Sequence, residues 1–402
     1  MHGLAAYPDA PAAELRNATR AAFVELVRTA IEERVDFLII AGDLYDGTWR
    51  DHNTGIFFCK EMGRLKRAGI PVFLVYGNHD AESEMTKKLD LPDNVRAFGA
   101  SKPEVIRLDT LKVALHGQSF RNKETTSNLA ATYPAPVAGF YNIGVLHTAL
   151  EGHAQHASYA PCTIDELHAR GYQYWALGHV HEFKQWAGAS TIVFPGNLQG
   201  RNVRETGRRG AVLVSVNEDG ATSVERLFID VLRWEAVTVD ASNATSLLEV
   251  ARCIGGQLEG LLGIDPQVPR AVRVTVVGRT HAHGELFGLE AQLRQEVLAH
   301  VATLGNDRLW LERVQLQTGP PEVQAAAART EAVTDLSELL QEAQQDAAFR
   351  QQLRDDLAPF VAKIPLDLQL LVPAISQLRT GNVEALIDAV SPGLLAQLAA
   401  TE

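Results

Sequence analysis

The sequence predicts a layered α/β domain followed by a smaller α+β domain and an acidic helical tail. Helix-like and strand-like stretches alternate over the first two hundred residues, the pattern of a sheet covered by helices. The texture changes after about Asp230, where longer strands flank two helical segments. Of the net charge of −12, a share of −7 falls in Glu331–Glu402, which holds 11 acidic and 4 basic residues, and −5 is left for the preceding 330.

In chain order, Glu14–Glu33 places Leu15, Ala18, Ala22, Leu26 and Ala30 at helical spacing. Val35–Ala41 (VDFLIIA) is a short run expected to form a strand buried on both faces. Asn53–Ala68 is a helix closed by Gly69, and Ile70–Tyr76 (IPVFLVY) is a second buried strand. Further strands are expected at Lys112–His116, Asn142–His147, Tyr174–Leu177, Thr191–Phe194 and Ala211–Val216. In the second region, strands Trp234–Asp240, Ala271–Gly278 and Arg313–Gln317 accompany helices Ala244–Leu262 and Glu285–Leu304. Gly319-Pro320-Pro321 reads as a linker. The segment beyond it is divided into three or four helices by Pro365, Pro373 and Pro392. The domain boundaries are therefore 1–230, 231–318 and 322–402.

Composition narrows the function. With 46% hydrophobic and 21% charged residues the chain has the makeup of a globular protein. No apolar run reaches the 18 or so residues that span a bilayer, and no secretory leader is visible, so no membrane partner is expected. Cys59, Cys162 and Cys253 are too scattered for a thiolate zinc site or a disulfide framework, which makes a reducing cytoplasm the simplest location. An excess of 49 acidic over 37 basic residues restricts any contact with a polyanion to a local patch.

The chemistry is written at the strand ends. LIIA runs into Gly42-Asp43-Leu44-Tyr45-Asp46, FLVY into Gly77-Asn78-His79-Asp80, IGVL into His147-Thr148, and WAL into Gly178-His179-Val180-His181. Sheets of this class place ligands at the C-terminal edges of their strands. Glycine ahead of the polar residue permits a sharp turn and close approach. Carboxylate, amide oxygen and imidazole together suit a divalent ion such as Mn²⁺, Fe²⁺ or Zn²⁺, and two such ions about 3.5–4 Å apart can clamp a phosphoryl displacement. A single GD or GH after a strand is common, and a lone HxH is more often surface or core histidine than ligand. The four together in this order are specific.

This set resembles the calcineurin-like metallophosphoesterases, and within them the DNA-repair exonucleases of the SbcD type. The motifs GDLYD, GNHD, HT and GHVH carry the superfamily; AGDLYD, HGQSF, LGHVHE and FPGNLQGR carry the branch. The resemblance covers about Leu15–Val216. It implies a four-layer αββα metallophosphoesterase domain, a small α+β capping domain and a helical C-terminal tail. It further implies two divalent ions, with Mn²⁺ the expected species. Asp43 would bridge them, Asn78, His147 and His179 would complete one site, and His181 would serve the other. His79 would stabilise charge or protonate the leaving oxygen, and Asp46 would orient His79.

The pattern departs in one respect. The family opens with a strand carrying Asp-x-His, and this sequence begins His2-Gly3 ahead of a helix. Either a longer chain is the native form or half of one metal site is lost. As written, the 402-residue sequence is expected to bind one ion tightly. Arg201, Arg204, Arg208 and Arg209 follow FPGNLQG, where phosphate contact and a solvated loop are equally good readings, with Arg201 and Arg204 the candidates for DNA phosphate. The expected function is a metal-dependent phosphodiesterase acting on DNA, an exonuclease in strand-break repair. The expected partners are DNA and an SMC-like ATPase bound through the tail, with a homodimer as a further assembly. Two alternatives stay open: a phosphoesterase for nucleotides or phosphoproteins, and a catalytically weakened interaction subunit.

Overall fold

The computed structural model describes residues 14–44, 52–82, 90–122, 125–150, 160–265, 267–303, 308–321, 331–363, 377 and 381–400. The chain divides into two units, residues 1–235 with 267–271 and residues 236–266 with 272–402.

The first unit opens with α1 (Glu14–Glu32), whose Ala18, Ala22, Phe23, Val27 and Ala30 fall on one buried stripe. β1 (Leu38–Ile40), α2 (His52–Arg67), β2 (Val72–Leu74), α3 (Asn78–Glu82) and β3 (Val95–Ala97) follow. The three strands form a parallel sheet in the order β1-β2-β3. Phe58, Met62 and Leu65 of α2 pack with Phe23 and Val27 of α1 against Val72 and Leu74. Gly69, at φ 76°, turns the chain out of α2.

A six-stranded sheet contains β4 (Glu104–Leu108), β5 (Val113–Gly117), β6 (Tyr141–His147), β7 (Tyr174–Gly178), β8 (Lys184–Trp186) and β9 (Thr191–Phe194). Their order is β4-β5-β6-β7-β9-β8; the inner four run parallel and the two edge strands pair antiparallel. Phe73 and Val75 from the first sheet meet Leu115, Ile143, Val145 and Val193 from the second in one apolar cluster. On the far face, Tyr133, Tyr172 and Trp175 cluster with Leu167 of α4 (Ile164–Ala169) and Ala130 of a 3₁₀ turn (Ala130–Thr132). The layers are helix, sheet, sheet, helix, as expected. An antiparallel ribbon of β10 (Gly210–Val216) and β11 (Thr222–Phe228) completes the unit.

β1 differs from expectation. Its three residues are only half-buried, whereas Val72–Leu74 of β2 are fully buried. Among the described residues β1 pairs with β2 alone. Its other edge borders a cavity of about 1260 Å³ that is lined by Phe23 and Leu26 of α1 and Val212 and Val214 of β10. Whatever precedes α1 lies outside the described residues.

The second unit holds a sheet of β12 (Arg233–Asp240), β13 (Arg270–Arg279) and β14 (Leu309–Gly319), in that order. α5 (Leu247–Leu262) and α7 (Glu290–Thr303) cover it through Val250, Ile254, Leu258, Leu293 and Val297. α5 starts at Leu247 because the Ser246 side chain caps it by accepting from the Glu249 N–H. The single helix expected over Glu285–Leu304 breaks instead at Gly288, φ 74°, leaving a short α6 (His283–Leu286) before α7.

The tail supplies α8 (Glu331–Gln345), α9 (Ala347–Val361) and α10 (Glu384–Ala400). Pro392 does not divide helices; it lies inside α10, where its ring removes one backbone hydrogen bond. The helix continues because it is packed: Ile387 is buried, and Gly393 lies so close to the Phe287 ring that no side chain fits there. Pro365 and Pro373 lie outside the described residues. No described helix is long and apolar enough to cross a membrane.

Candidate metal centre

Four parallel strands end at one place. β1 delivers Gly42 and Asp43, β2 delivers Gly77 and Asn78, β6 ends on His147, and β7 ends on Gly178 followed by His179. One ligand atom each from Asp43, His147 and His179 lies within 4.8 Å of the others. Asn78 Oδ1 is 3.0 Å from His147 Nε2, and Asp43 Oδ2 is 3.4 Å from it.

The glycines permit this convergence. A Cβ on Gly77 would lie 2.5 Å from Asp43 Oδ1 and 2.7 Å from His147 Cε1. One on Gly178 would run into the Ala41 carbonyl, and one on Gly42 into His147 Nδ1. Asp43 and His179 themselves adopt positive φ, 54° and 106°. Such strained backbone is retained where the surroundings over-determine it. The buried carboxylate of Asp80, the fourth residue of GNHD, ties the two loops by accepting from Leu44 N–H at 3.2 Å and Gly77 N–H at 3.0 Å. Sequence reasoning quoted that motif but gave Asp80 no task.

The hydrogen bonds of His147 fix its tautomer. Nδ1 is 2.9 Å from the Ala41 carbonyl, which can only accept, so Nδ1 carries the proton. Nε2 then presents a lone pair to the oxygens of Asn78 and Asp43. Burial pushes the imidazole down from its ordinary 6.5, against the pull of Asp43 and the Ala41 carbonyl, and the charges of nearby His79 and His181 would lower it further. The lone pair of a neutral imidazole thus has an amide oxygen and a carboxylate oxygen within 3.4 Å of it. A divalent cation is the species that relieves this repulsion, and the donor types suit one.

His181, predicted for the second ion, sits apart from this cluster on the segment after β7. Its Nδ1 is 2.7 Å from Glu205 Oε1. Burial alone would raise the Glu205 carboxyl; the hydrogen bond from His181 and the charge of Arg201 outweigh it and hold the group at about 2. Sequence reasoning missed Glu205, whose only signal was an acidic residue amid four arginines. Arg201 is paired with Glu205 at 3.2 Å, and Arg209 is buried, donating to the His181 and Thr206 carbonyls. Arg204 and Arg208 are exposed, with Arg208 over the Phe228 ring. His79 is half-buried and lines the cavity together with Asp43, His179, His181 and Arg201, and its backbone N–H donates to Asp43 Oδ1 at 3.1 Å. Asp46, predicted to orient His79, lies outside the described residues.

Residues 1–183 match the model of the calcineurin-like phosphoesterases. The chain carries a calcineurin-like phosphoesterase domain. Residues 234–319, later in the chain, match the middle domain of the metallophosphoesterase YhaO. The uncharacterized metallophosphoesterase YhaO of Bacillus subtilis is 34% identical over 259 residues, which cover 62% of this chain and 63% of that protein. The DNA double-strand break repair protein Mre11 of Sulfurisphaera tokodaii is 26% identical over 251 residues, 55% of this chain and 59% of that protein. Mre11 of Saccharolobus solfataricus is also 26% identical, over 55% of this chain and 60% of its own length. The matches thus span about six-tenths of these relatives' lengths.

Proposed function

We propose that this phosphoesterase is a DNA phosphodiesterase, an exonuclease of strand-break repair that works with Mn²⁺. The observation that carries the reading is the convergence of Asp43, Asn78, His147 and His179 at four strand ends, with acceptor atoms turned toward one another. The likeness to proteins named for double-strand break repair supports DNA as substrate. These four residues would hold one ion, and Asp43 with His181 a second. Bound there, divalent ions supply Lewis-acid charge stabilisation and make water a stronger nucleophile near neutral pH.

The chain's own residues do the rest. His147 stays neutral and fixed in one tautomer. The His79 backbone N–H donates to Asp43, and its imidazole would give a proton to the departing oxygen. Arg204 is exposed and available to a phosphate outside the cavity.

The deciding experiment measures hydrolysis of defined duplex and single-stranded DNA with Mn²⁺, beside bis(p-nitrophenyl) phosphate and an Asp43→Ala control. Metal-dependent release of nucleotides from DNA ends is the expected result. Turnover of the small ester with inert DNA would replace this reading with a small-substrate phosphoesterase.

The tail is proposed to bind an SMC-like ATPase. α8 and α9 leave Leu339, Phe349 and Phe360 exposed, apolar groups that a partner would cover. Removing residues 331–402 should abolish co-purification with the ATPase and preserve basal hydrolysis; a deletion variant that still binds the ATPase would end the idea.

A further inference from the structure

His147, at the end of β6, and His181, on the segment after β7, are steered differently. His147 gives its Nδ1–H to a backbone carbonyl, whereas His181 Nδ1 lies 2.7 Å from the side chain of Glu205. We propose that Glu205 is the positioning residue for His181: by accepting the Nδ1–H it holds the imidazole in the tautomer with Nε2 unprotonated, the form that an ion requires. The inference rests on the reading of His181 as a metal ligand.

The carboxylate is built in rather than merely nearby. Glu205 is 7% exposed. Oε2 accepts from the Arg201 backbone N–H at 2.7 Å and from Asn197 Nδ2 at 2.9 Å. Oε1 accepts from Arg201 Nη2 at 3.2 Å as well as from His181. Four donors thus occupy the roughly four lone-pair positions of the carboxylate, and it has no freedom to turn.

Arg201 Nη2 is also 3.3 Å from His181 Nδ1, a contact that would be a hydrogen bond only if Nδ1 were the unprotonated nitrogen. A guanidinium can only donate and an ionised carboxylate can only accept, so the two neighbours demand opposite tautomers. The carboxylate is nearer by 0.6 Å, from 3.3 less 2.7, and the guanidinium already has it as a partner. Nδ1 therefore carries the proton.

The histidine backbone is clamped from the same segment. The Asn197 N–H and the Arg209 guanidinium both donate to the His181 carbonyl. Gly196, at φ 80°, lets that loop press in; a Cβ there would be 2.9 Å from the same carbonyl oxygen. With the main chain held by Asn197 and Arg209 and the ring by Glu205, the segment from Gly196 to Arg209 orients one imidazole. Carboxylate partners of ligating histidines typically govern metal affinity by 10–100-fold.

The test uses the full chain and its Glu205→Ala and Glu205→Gln variants. Calorimetric titration with Mn²⁺ is paired with ¹⁵N NMR of the histidine rings, His181 being assigned through a His181→Gln variant. In the parent protein without metal, His181 should show the Nδ1–H tautomer. In Glu205→Ala it should become a mixture, and the weaker Mn²⁺ event should lose about 10–100-fold in affinity while the tighter event is unchanged. Glu205→Gln keeps an oxygen that can accept but loses the charge, so it should keep the tautomer and lose less affinity. It also keeps the shape of the side chain should the alanine variant fail to fold. An unchanged tautomer and unchanged Mn²⁺ affinity in a folded variant would overturn the proposal. If the parent binds no Mn²⁺, the metal reading fails, and the metal-free tautomer still decides whether Glu205 sets the ring.

Discussion

The two sides of the candidate centre are made in opposite ways. Asp43, Asn78, His147 and His179 are delivered by strand ends, and glycines let the main chains close around them. His147 is wholly buried there. His181 is delivered by a loop, keeps 36% of its side chain exposed, and is oriented by other side chains, chiefly Glu205. One side is thus specified by backbone approach and the other by a hydrogen-bond network. The first should fail when space is filled, the second when a polar partner is removed. Among the described residues the first side offers four donors and the second two, so the first should bind its ion more tightly.

The largest expected effect joins the two sides. Asp43→Ala removes the carboxylate proposed to serve both, so Mn²⁺ binding and hydrolysis should fall by more than the 10–100-fold that an outer partner costs. Tight Mn²⁺ binding surviving in calorimetry would show that the two sides do not share Asp43.

Next is Gly178→Ala, a test of backbone specification. Its methyl would strike the Ala41 carbonyl, the same group that fixes the His147 tautomer. A loss of about 3 kcal/mol in urea denaturation is expected, the upper end for overpacking. A variant as stable as the parent would mean that the β1 and β7 ends can separate, and the contrast with the His181 side would collapse.

His79→Ala addresses chemistry instead of binding. Turnover should drop about a hundredfold or more with both Mn²⁺ events retained, the scale of a positioned acid. Loss of a full equivalent of metal would reassign His79 as a ligand.

Smaller still is the difference between two arginines. Arg204→Ala should reduce the salt slope of DNA binding by about 0.9 and leave small-ester hydrolysis alone. Arg201→Ala, which disturbs Glu205, should affect both substrates. Equal behaviour of the two variants would remove Arg201 from the His181 network.

A buried histidine outside the centre provides the control. Burial pushes the His116 imidazole down from 6.5, opposed by its hydrogen bond to Asn142, and the ring stacks on Tyr172. With the folded value below the unfolded one, the unfolded chain binds more protons, so stability is full above about 6.5 and falls as pH drops below it. His116→Gln should flatten that dependence without removing it, since His147 is displaced in the same direction. An unchanged pH profile in thermal melts would move the dependence to His147 and to His283, whose imidazole burial also pushes down.

Much of this was legible before folding. Apolar runs of strand length followed by glycine and a polar residue announced both the sheets and their ligand-bearing ends, because a period and a turn residue are local properties. The strand over Thr191–Phe194 has the bounds its sequence predicts. Short edge strands carry little local signal: Lys184–Trp186 has too few residues for a period, and Glu104–Leu108 (EVIRL) does not alternate. Pro392 misled because a proline's local cost was outweighed by packing that no window of sequence contains.

The sequence by itself determined which residue types could meet at the strand ends, since the Asp, Asn and His of the four motifs are fixed by position after each apolar run. Only the tertiary structure decided which neighbours complete them. Asp80 bridges Leu44 and Gly77 across two strand ends, and Glu205 reaches back 24 residues to His181. It also separated the arginines, leaving Arg204 in solvent and burying Arg209 under the His181 carbonyl. Such pairings depend on which loops the sheet order brings side by side, and that order is a property of long-range packing, invisible to any local pattern.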